Sequence, residues 1–286
     1  MKESASPQAS DHKNKRETTP PIPEEITSKT QHSVTIQGED VEYTATAGTM
    51  ILKEEEEEGE KAKASVFYIA YTKNGVEDPS QRPLTYSFNG GPGSSSVWLH
   101  LGLLGPRRVN MGDAGNLLPP PYEAVDNEYS LLDKTDLVFI DPVGTGYSRP
   151  VPGEDPKQFF SVKRDVKSVG EFIRLFTTRH MRWSSPKFLI GESYGTTRAA
   201  ELSGFLQERH GMYFNGIMLV STVLNFQSTR FNPGNDLPHI LFLPTYTAAA
   251  WYHQQLPEEL QQDLHDTLDQ VESFALNEYA LALMKG

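Results

Sequence analysis

The chain has 286 residues, 37% of them hydrophobic and 22% charged, a composition and length that suit one large α/β domain or two small ones and exclude collagen-like and wholly disordered classes. Lys and Arg total 26 against 38 Asp and Glu, a formal net charge of -12, so the basic footprint of nucleic-acid binding is missing and neither nucleic acid nor membrane is an expected partner. No apolar run approaches the roughly 18 residues that a membrane-spanning helix needs, and zero cysteines exclude disulfides, thiolate metal sites and a cysteine nucleophile.

Met1 to Glu25 is built from Lys, Ser, Pro, Thr and Glu with almost no large apolar side chain, which predicts a disordered polar tail over residues 1–30. It holds no apolar core of a secretory signal, so a cytoplasmic location is expected if this N-terminus is the natural one. Val34 to Ile36, Val41 to Ala45 and Ser65 to Tyr71 are rich in β-branched and aromatic residues and predict antiparallel strands. The acidic block Glu54 to Glu58 between them reads as a solvated loop. From Leu84 the pattern changes to short, continuous apolar runs: Leu84 to Phe88, Leu137 to Ile140, Lys187 to Ile190 and Gly216 to Val220. Such runs predict a parallel sheet covered on both faces. Helical spacing follows in Val166, Val169, Phe172, Ile173 and Phe176, and in Ala199, Leu202, Phe205 and Leu206. The expected class is α/β, with the sheet domain over residues 31–231. After Asn225 the strand pattern stops. Leu237 to Trp251 is aromatic and broken by proline, and Leu264, Leu268, Val271 and Ala275 lie at helical spacing, so residues 232–286 predict a helical lid or insertion.

The stretch Phe188-Leu189-Ile190-Gly191-Glu192-Ser193-Tyr194-Gly195 has the G-x-S-x-G form between a buried strand and a helix-forming segment. That pattern is weak alone and informative in this context, because small residues on both sides of Ser193 permit a sharp strand-to-helix turn that lifts its hydroxyl out of the sheet. Ser193 is thus a candidate nucleophile, the competing reading being a structural serine at a packed turn. A second turn, Asn89-Gly90-Gly91-Pro92-Gly93-Ser94-Ser95-Ser96, also follows a strand. In a hydrolase its glycines would point N–H groups into an oxyanion hole, with the Tyr194 amide as the second donor. The turn has neither the G-K-[ST] nor the G-x-G-x-x-G of a phosphate cradle.

These two turns, with Asp136-Leu137-Val138-Phe139-Ile140-Asp141-Pro142-Val143-Gly144-Thr145-Gly146-Tyr147-Ser148 between them in the chain, resemble the serine carboxypeptidase family, the S10 peptidases of the α/β-hydrolase fold. The resemblance covers roughly residues 31 to 286. It implies a mostly parallel sheet with an antiparallel N-terminal edge, no cofactor, and an exopeptidase that takes a peptide with a free C-terminus and releases C-terminal residues through an acyl-enzyme on Ser193. It further implies oxyanion donors at Gly91 and Tyr194 and reception of the terminal carboxylate by Asn89, Gly90 and Glu192. A carboxyl that donates to a carboxylate must carry a proton, so this arrangement favours binding at acidic pH; Glu192 could instead be a turn acid bonded to local amides. Two departures stand out. Ser87 and Ser94 occupy positions where eukaryotic members carry Trp and Cys.

The family order is Ser, then Asp, then His, yet no segment after Asn225 matches the family's Asp or His motif. The resemblance therefore implies a member truncated at its C-terminus and inactive as this piece. His210, His239, His253 and His265 follow Ser193, with His239 in the expected lid and His210 ending the nucleophile helix. No histidines show a metal-ligand spacing, so no metal is expected. An esterase or acyltransferase of the same fold, or a non-catalytic binding module, remain as alternatives.

Overall fold

Four of the apolar runs become the parallel middle and one end of a single sheet. The computed structural model describes residues 21–57, 59–112 and 115–286, and the chain divides into two compact units at Val220 and Ser221. The first unit holds β1 (Thr27–Ile36), β2 (Glu39–Glu56), β3 (Gly59–Lys73), β4 (Leu84–Phe88), β5 (Arg107–Val109), β6 (Ala124–Asp126), β7 (Asp136–Ile140), β8 (Arg149–Pro150), β9 (Lys187–Glu192) and β10 (Gly216–Val220). Its sheet runs β1-β2-β3-β7-β4-β9-β10, with β8 paired to β3 and β5–β6 forming a separate ribbon. Strands β1, β2 and β3 are antiparallel, as is the β3–β7 seam. The β7–β4, β4–β9 and β9–β10 pairs are parallel. Every residue of β4 and β7 is buried, as strands covered on both faces require.

Helix α1 (Val97–Leu99) runs into a π-helical turn over His100–Leu104, and α2 (Val162–Arg179) and α3 (Tyr194–His210) are the long helices of this unit. Ser161 caps α2 by accepting from the Arg164 amide. The stripe Val166, Val169, Phe172, Ile173 and Phe176 then packs with Ala199, Leu202 and Leu206 of α3 against Tyr68, Tyr86, Phe88, Val138 and Leu189. Full burial of each phenylalanine is worth about 1.5–3 kcal/mol. Leu99 and Leu104 join a second cluster with Val34, Ile36, Val41, Tyr43, Leu137, Phe139 and Ile190.

Four sequence expectations need correction. The acidic block enters a hairpin and is not a loop over Glu54 to Glu56: β2 extends to Glu56, and Glu54 and Glu55 pair in register with Lys61 and Glu60, while Glu58 lies outside the described residues. Its charges are offset by cations that the local sequence does not reveal, with Lys53 on Glu60, Lys61 and Lys63 each on Glu56 and Glu154, and Lys167 of α2 on Glu54. The expected tail over 1–30 also gives way early. β1 starts at Thr27, and Glu25 accepts from the Ile51 amide at 2.8 Å and pairs with Arg179; residues 1–20 lie outside the described residues.

The second unit, residues 221–286, is helical: α4 (Leu237–Tyr252), α5 (Leu264–Phe274), a π-helical turn (Ala275–Tyr279) and α6 (Ala280–Lys285). It begins ahead of the expected boundary at residue 232. Proline does not break α4, because Pro238 sits in its first turn, where no intrahelical donor is needed, and the helix continues through Pro244. Among the described residues no helix is long and apolar enough to cross a membrane.

Candidate active site

Both glycine turns leave the C-terminal ends of adjacent parallel strands, since β4 pairs with β9 up to Phe88 opposite Gly191. Such ends are where open α/β sheets gather ligand-binding loops. Ser193 joins β9 to α3 with φ 56 and ψ -124, a conformation costly for any residue with a Cβ. The turn is held by its surroundings: the Ser193 amide donates to the Val220 carbonyl at 2.9 Å, and the Thr196 amide to the Ser193 carbonyl at 2.9 Å. Ser193 is half-buried and Tyr194, the first residue of α3, is buried.

Glycine at 191 and 90 follows from close approach. A Cβ on Gly191 would lie 2.0 Å from the Gly195 carbonyl oxygen, so only glycine lets the strand and the helix start cross there. A Cβ on Gly90 would lie 2.4 Å from the Tyr194 nitrogen and 2.6 Å from both the Glu192 oxygen and the Gly195 nitrogen. The Asn89-Gly90-Gly91 turn is therefore pressed directly onto the Ser193 turn. Asn89 is fully buried; its Nδ2 donates to Glu192 Oε2 at 3.0 Å, and its Oδ1 accepts from the Leu99 amide at 3.0 Å. Glu192 is half-buried and Gly91 is exposed. The structure thus brings all six expected site residues, Ser193, Gly91, Tyr194, Asn89, Gly90 and Glu192, into one patch.

Three charged residues of this patch escape the sequence reading. Asp141 is 8% exposed and accepts from the Ser96 amide at 2.9 Å, tying the D-P-V-G-T-G-Y-S loop to the glycine-rich turn. Burial raises its pKa, against the lowering effect of the Ser96 and Tyr147 amides. The buried Arg198 of α3 pairs with the half-buried Asp165 of α2 at 2.8 Å. Burial, reinforced by the Asp165 carboxylate, pushes the Tyr194 phenol up to about 12. The available signal is spacing, because Arg198 lies one helical turn after Tyr194 on the same face of α3.

The described histidines of the first unit are engaged elsewhere. His100 Nε2 lies 2.6 Å from the Tyr71 hydroxyl, His180 Nδ1 is 2.9 Å from the Phe176 carbonyl, His32 Nε2 is 2.7 Å from Thr30 Oγ1, and His210 packs edge-on to Phe205. His210 does end α3 as expected, but burial lowers its pKa despite the favourable helix terminus. In the second unit His239 packs against Phe231. Among the described residues no histidine forms an ion pair with a carboxylate, and no cluster of three or more His, Asp or Glu is placed to hold a metal.

Residues 47–280 match the sequence profile of the serine carboxypeptidases, peptidase family S10. The chain belongs to the serine carboxypeptidase family. Serine carboxypeptidase-like 5 of Arabidopsis thaliana is 31% identical over 140 residues, covering 48% of this chain and 30% of that protein. Serine carboxypeptidase-like 9 of the same plant is 28% identical over 215 residues, covering 74% of this chain and 45% of that one. The chain thus spans less than half the length of these two relatives. A prohormone-processing carboxypeptidase from Saccharomyces cerevisiae superposes with a TM-score of 0.52 at 19% identity, covering 81% of this chain and 53% of that structure. The fold is that of the α/β-hydrolases, and Ser193 lies at the strand-to-helix junction between β9 and α3.

Proposed function

We propose that the protein, as its own cell makes it, is a serine carboxypeptidase that removes C-terminal residues from peptides with Ser193 as nucleophile. The observation that carries this reading is the close approach of the Gly90 backbone to the start of α3, where a Cβ on Gly90 would lie 2.4 Å from the Tyr194 nitrogen and 2.6 Å from that of Gly195; it supports a glycine turn set against the Ser193 turn. In the proposed reaction Ser193 Oγ bonds to the carbonyl carbon of the last peptide bond, and a histidine base takes its proton. The oxyanion that forms is met by the Gly91 and Tyr194 amides. The C–N bond breaks as the base passes the proton to the departing amine, and water then hydrolyses the acyl-enzyme. Asn89, Gly90 and Glu192 receive the terminal carboxylate of the substrate, which selects an exopeptidase outcome.

The 286-residue chain taken alone is proposed to be close to inactive. Among the described residues of its unit no histidine is bonded to Ser193, so the hydroxyl keeps its proton; oxyanion and binding contributions alone leave about 10³ to 10⁴ over water in measured serine proteases.

The test is release of the last residue from an N-blocked dipeptide by protein purified from its own cell, beside the corresponding amide and ester and beside Ser193→Ala. Faster turnover of the free acid, abolished in Ser193→Ala, supports the reading. Preference for the ester would make the protein an esterase or acyltransferase of the same fold, and unchanged activity in Ser193→Ala would reject Ser193 as nucleophile.

A further inference from the structure

Arg198 is 1% exposed and heads the largest fully buried side chains of the described residues. A guanidinium survives such burial only when its donors are matched by partners. Its Nε donates to Asp165 Oδ2 at 2.8 Å and an Nη donates to the main-chain carbonyl of Asn89 at 2.7 Å. Its central carbon lies 5.3 Å from the centre of the Phe88 ring and 5.1 Å from that of Tyr194, within the range of cation–π attraction. The Tyr194 phenol donates to the same oxygen, Asp165 Oδ2, at 3.2 Å.

Asp165 alone would neutralise the charge, so the other contacts call for a separate account. Phe88 and Asn89 end β4 and open the glycine turn, while Tyr194 opens α3. The Asn89 carbonyl and the Gly90 N–H are opposite ends of one planar peptide unit, so a charged donor on the oxygen fixes that plane and polarises the N–H. On its other side Arg198 stacks on the side chain of Tyr194, whose own amide is the second proposed oxyanion donor. One guanidinium thus touches both turns, and α2 anchors it through Asp165.

We infer that Arg198 is a positioning residue that holds the Asn89–Gly90 peptide, proposed to receive the terminal carboxylate, and the Tyr194 start of α3, proposed to meet the oxyanion, in one fixed frame. It touches no substrate and acts through Asn89 and Tyr194. The inference rests on the proposed chemistry at Ser193.

The test uses the protein from its own cell and two variants, Arg198→Lys and Asp165→Asn. Lysine keeps the charge but cannot hold the carbonyl, the carboxylate and two ring faces in one planar fork. The readouts are kcat and KM for an N-blocked dipeptide, normalised to active sites titrated with a fluorophosphonate, and the affinity for a peptide boronic acid. In that inhibitor the Ser193 oxygen bonds to boron, its proton leaves to buffer, and the tetrahedral adduct imitates the reaction's intermediate. The expected result in Arg198→Lys is a kcat per titrated site lower by about tenfold or more, with boronate affinity falling in step. A residue with a merely structural role would lower the titrated fraction and the thermal midpoint, leaving kcat and boronate affinity per site unchanged; that result overturns the inference. If Arg198→Lys does not fold, Asp165→Asn is read in the same way, since it withdraws the shared anchor while keeping the side-chain shape. A wild-type protein that neither cleaves the dipeptide nor binds the boronate removes the proposed function and this inference with it. An active wild type with unaffected variants removes the inference alone.

Discussion

Asn89 and Glu192 meet end to end, Nδ2 of the first donating to Oε2 of the second at 3.0 Å, although they lie at the ends of different strands. The bond leaves Glu192 a second oxygen for a ligand. Under the proposed function that ligand is the peptide's terminal carboxylate. Glu192→Ala removes both oxygens and leaves Asn89 Nδ2 without its partner. KM for a free-acid dipeptide is expected to rise by about tenfold or more in Glu192→Ala, while KM for the corresponding dipeptide amide changes little. An equal effect on acid and amide would remove Glu192 from carboxylate reception.

Gly90 and Gly204 make opposite demands. The three backbone atoms within 2.6 Å of a Cβ at position 90 belong to a turn already held by hydrogen bonds, so Gly90→Ala forces the two site turns apart and is expected to cost more than about 3 kcal/mol. Gly204 lies inside α3 with nothing within 4 Å of a Cβ, so Gly204→Ala should stabilise by about 0.5–1 kcal/mol through helix propensity. Denaturant midpoints of the two variants settle both signs. A harmless Gly90→Ala would contradict the close packing of the turns.

How much of this was legible in the sequence depends on how far apart the interacting partners lie. The parallel strands and both glycine turns are local patterns, so β4, β7, β9 and β10 and the turns that carry the six candidate residues can be read from contiguous residues. Arg198 cannot, because in sequence it is one more polar helix residue; its carboxylate partner is 33 residues away on another helix and its carbonyl partner 109 residues away. The Glu54 to Glu58 block misleads for the same reason. Its charge looks uncompensated until Lys61, Lys63 and Lys167 arrive from across the hairpin and from α2. Pro244 suggests a break in α4 by its local preference, whereas the helix runs on past it to Tyr252.

Ser193 offers a way to measure what the sharp turn costs. At φ 56 and ψ -124 a side chain is strained by about 1–3 kcal/mol, while glycine adopts the same backbone freely at a smaller entropic cost. Ser193→Gly is therefore expected to be more stable than Ser193→Ala by about 1 kcal/mol, although both lack the nucleophile. Comparing these two variants with each other, rather than with the wild type, cancels the loss of the hydroxyl. Equal denaturant midpoints would mean that the turn is relaxed and stores no strain.

His100 sets an acid limit on the first unit. It is 8% exposed, its Nε2 lies 2.6 Å from the Tyr71 hydroxyl, and its ring sits 4.6 Å from that of Phe139. Burial takes its pKa from 6.5 down to about 4. Between these values the unfolded chain binds a proton that the folded chain refuses. The contribution of neutral His100 is therefore fully present above pH 6.5 and is lost as pH falls toward 4, a swing of about 3 kcal/mol at most. His100→Gln keeps a polar end within reach of Tyr71 and cannot titrate. Urea midpoints at pH 7, 5.5 and 4.5 should fall more steeply for the wild type than for His100→Gln, and parallel curves would show that His100 protonates without leaving its site. Leu99, the neighbour of His100, donates its amide to Asn89 Oδ1, so acid-driven opening at His100 reaches the glycine turn first. In the wild type, loss of Ser193 labelling by a fluorophosphonate should accordingly begin at a higher pH than loss of the sheet's circular dichroism, and in His100→Gln that gap should close.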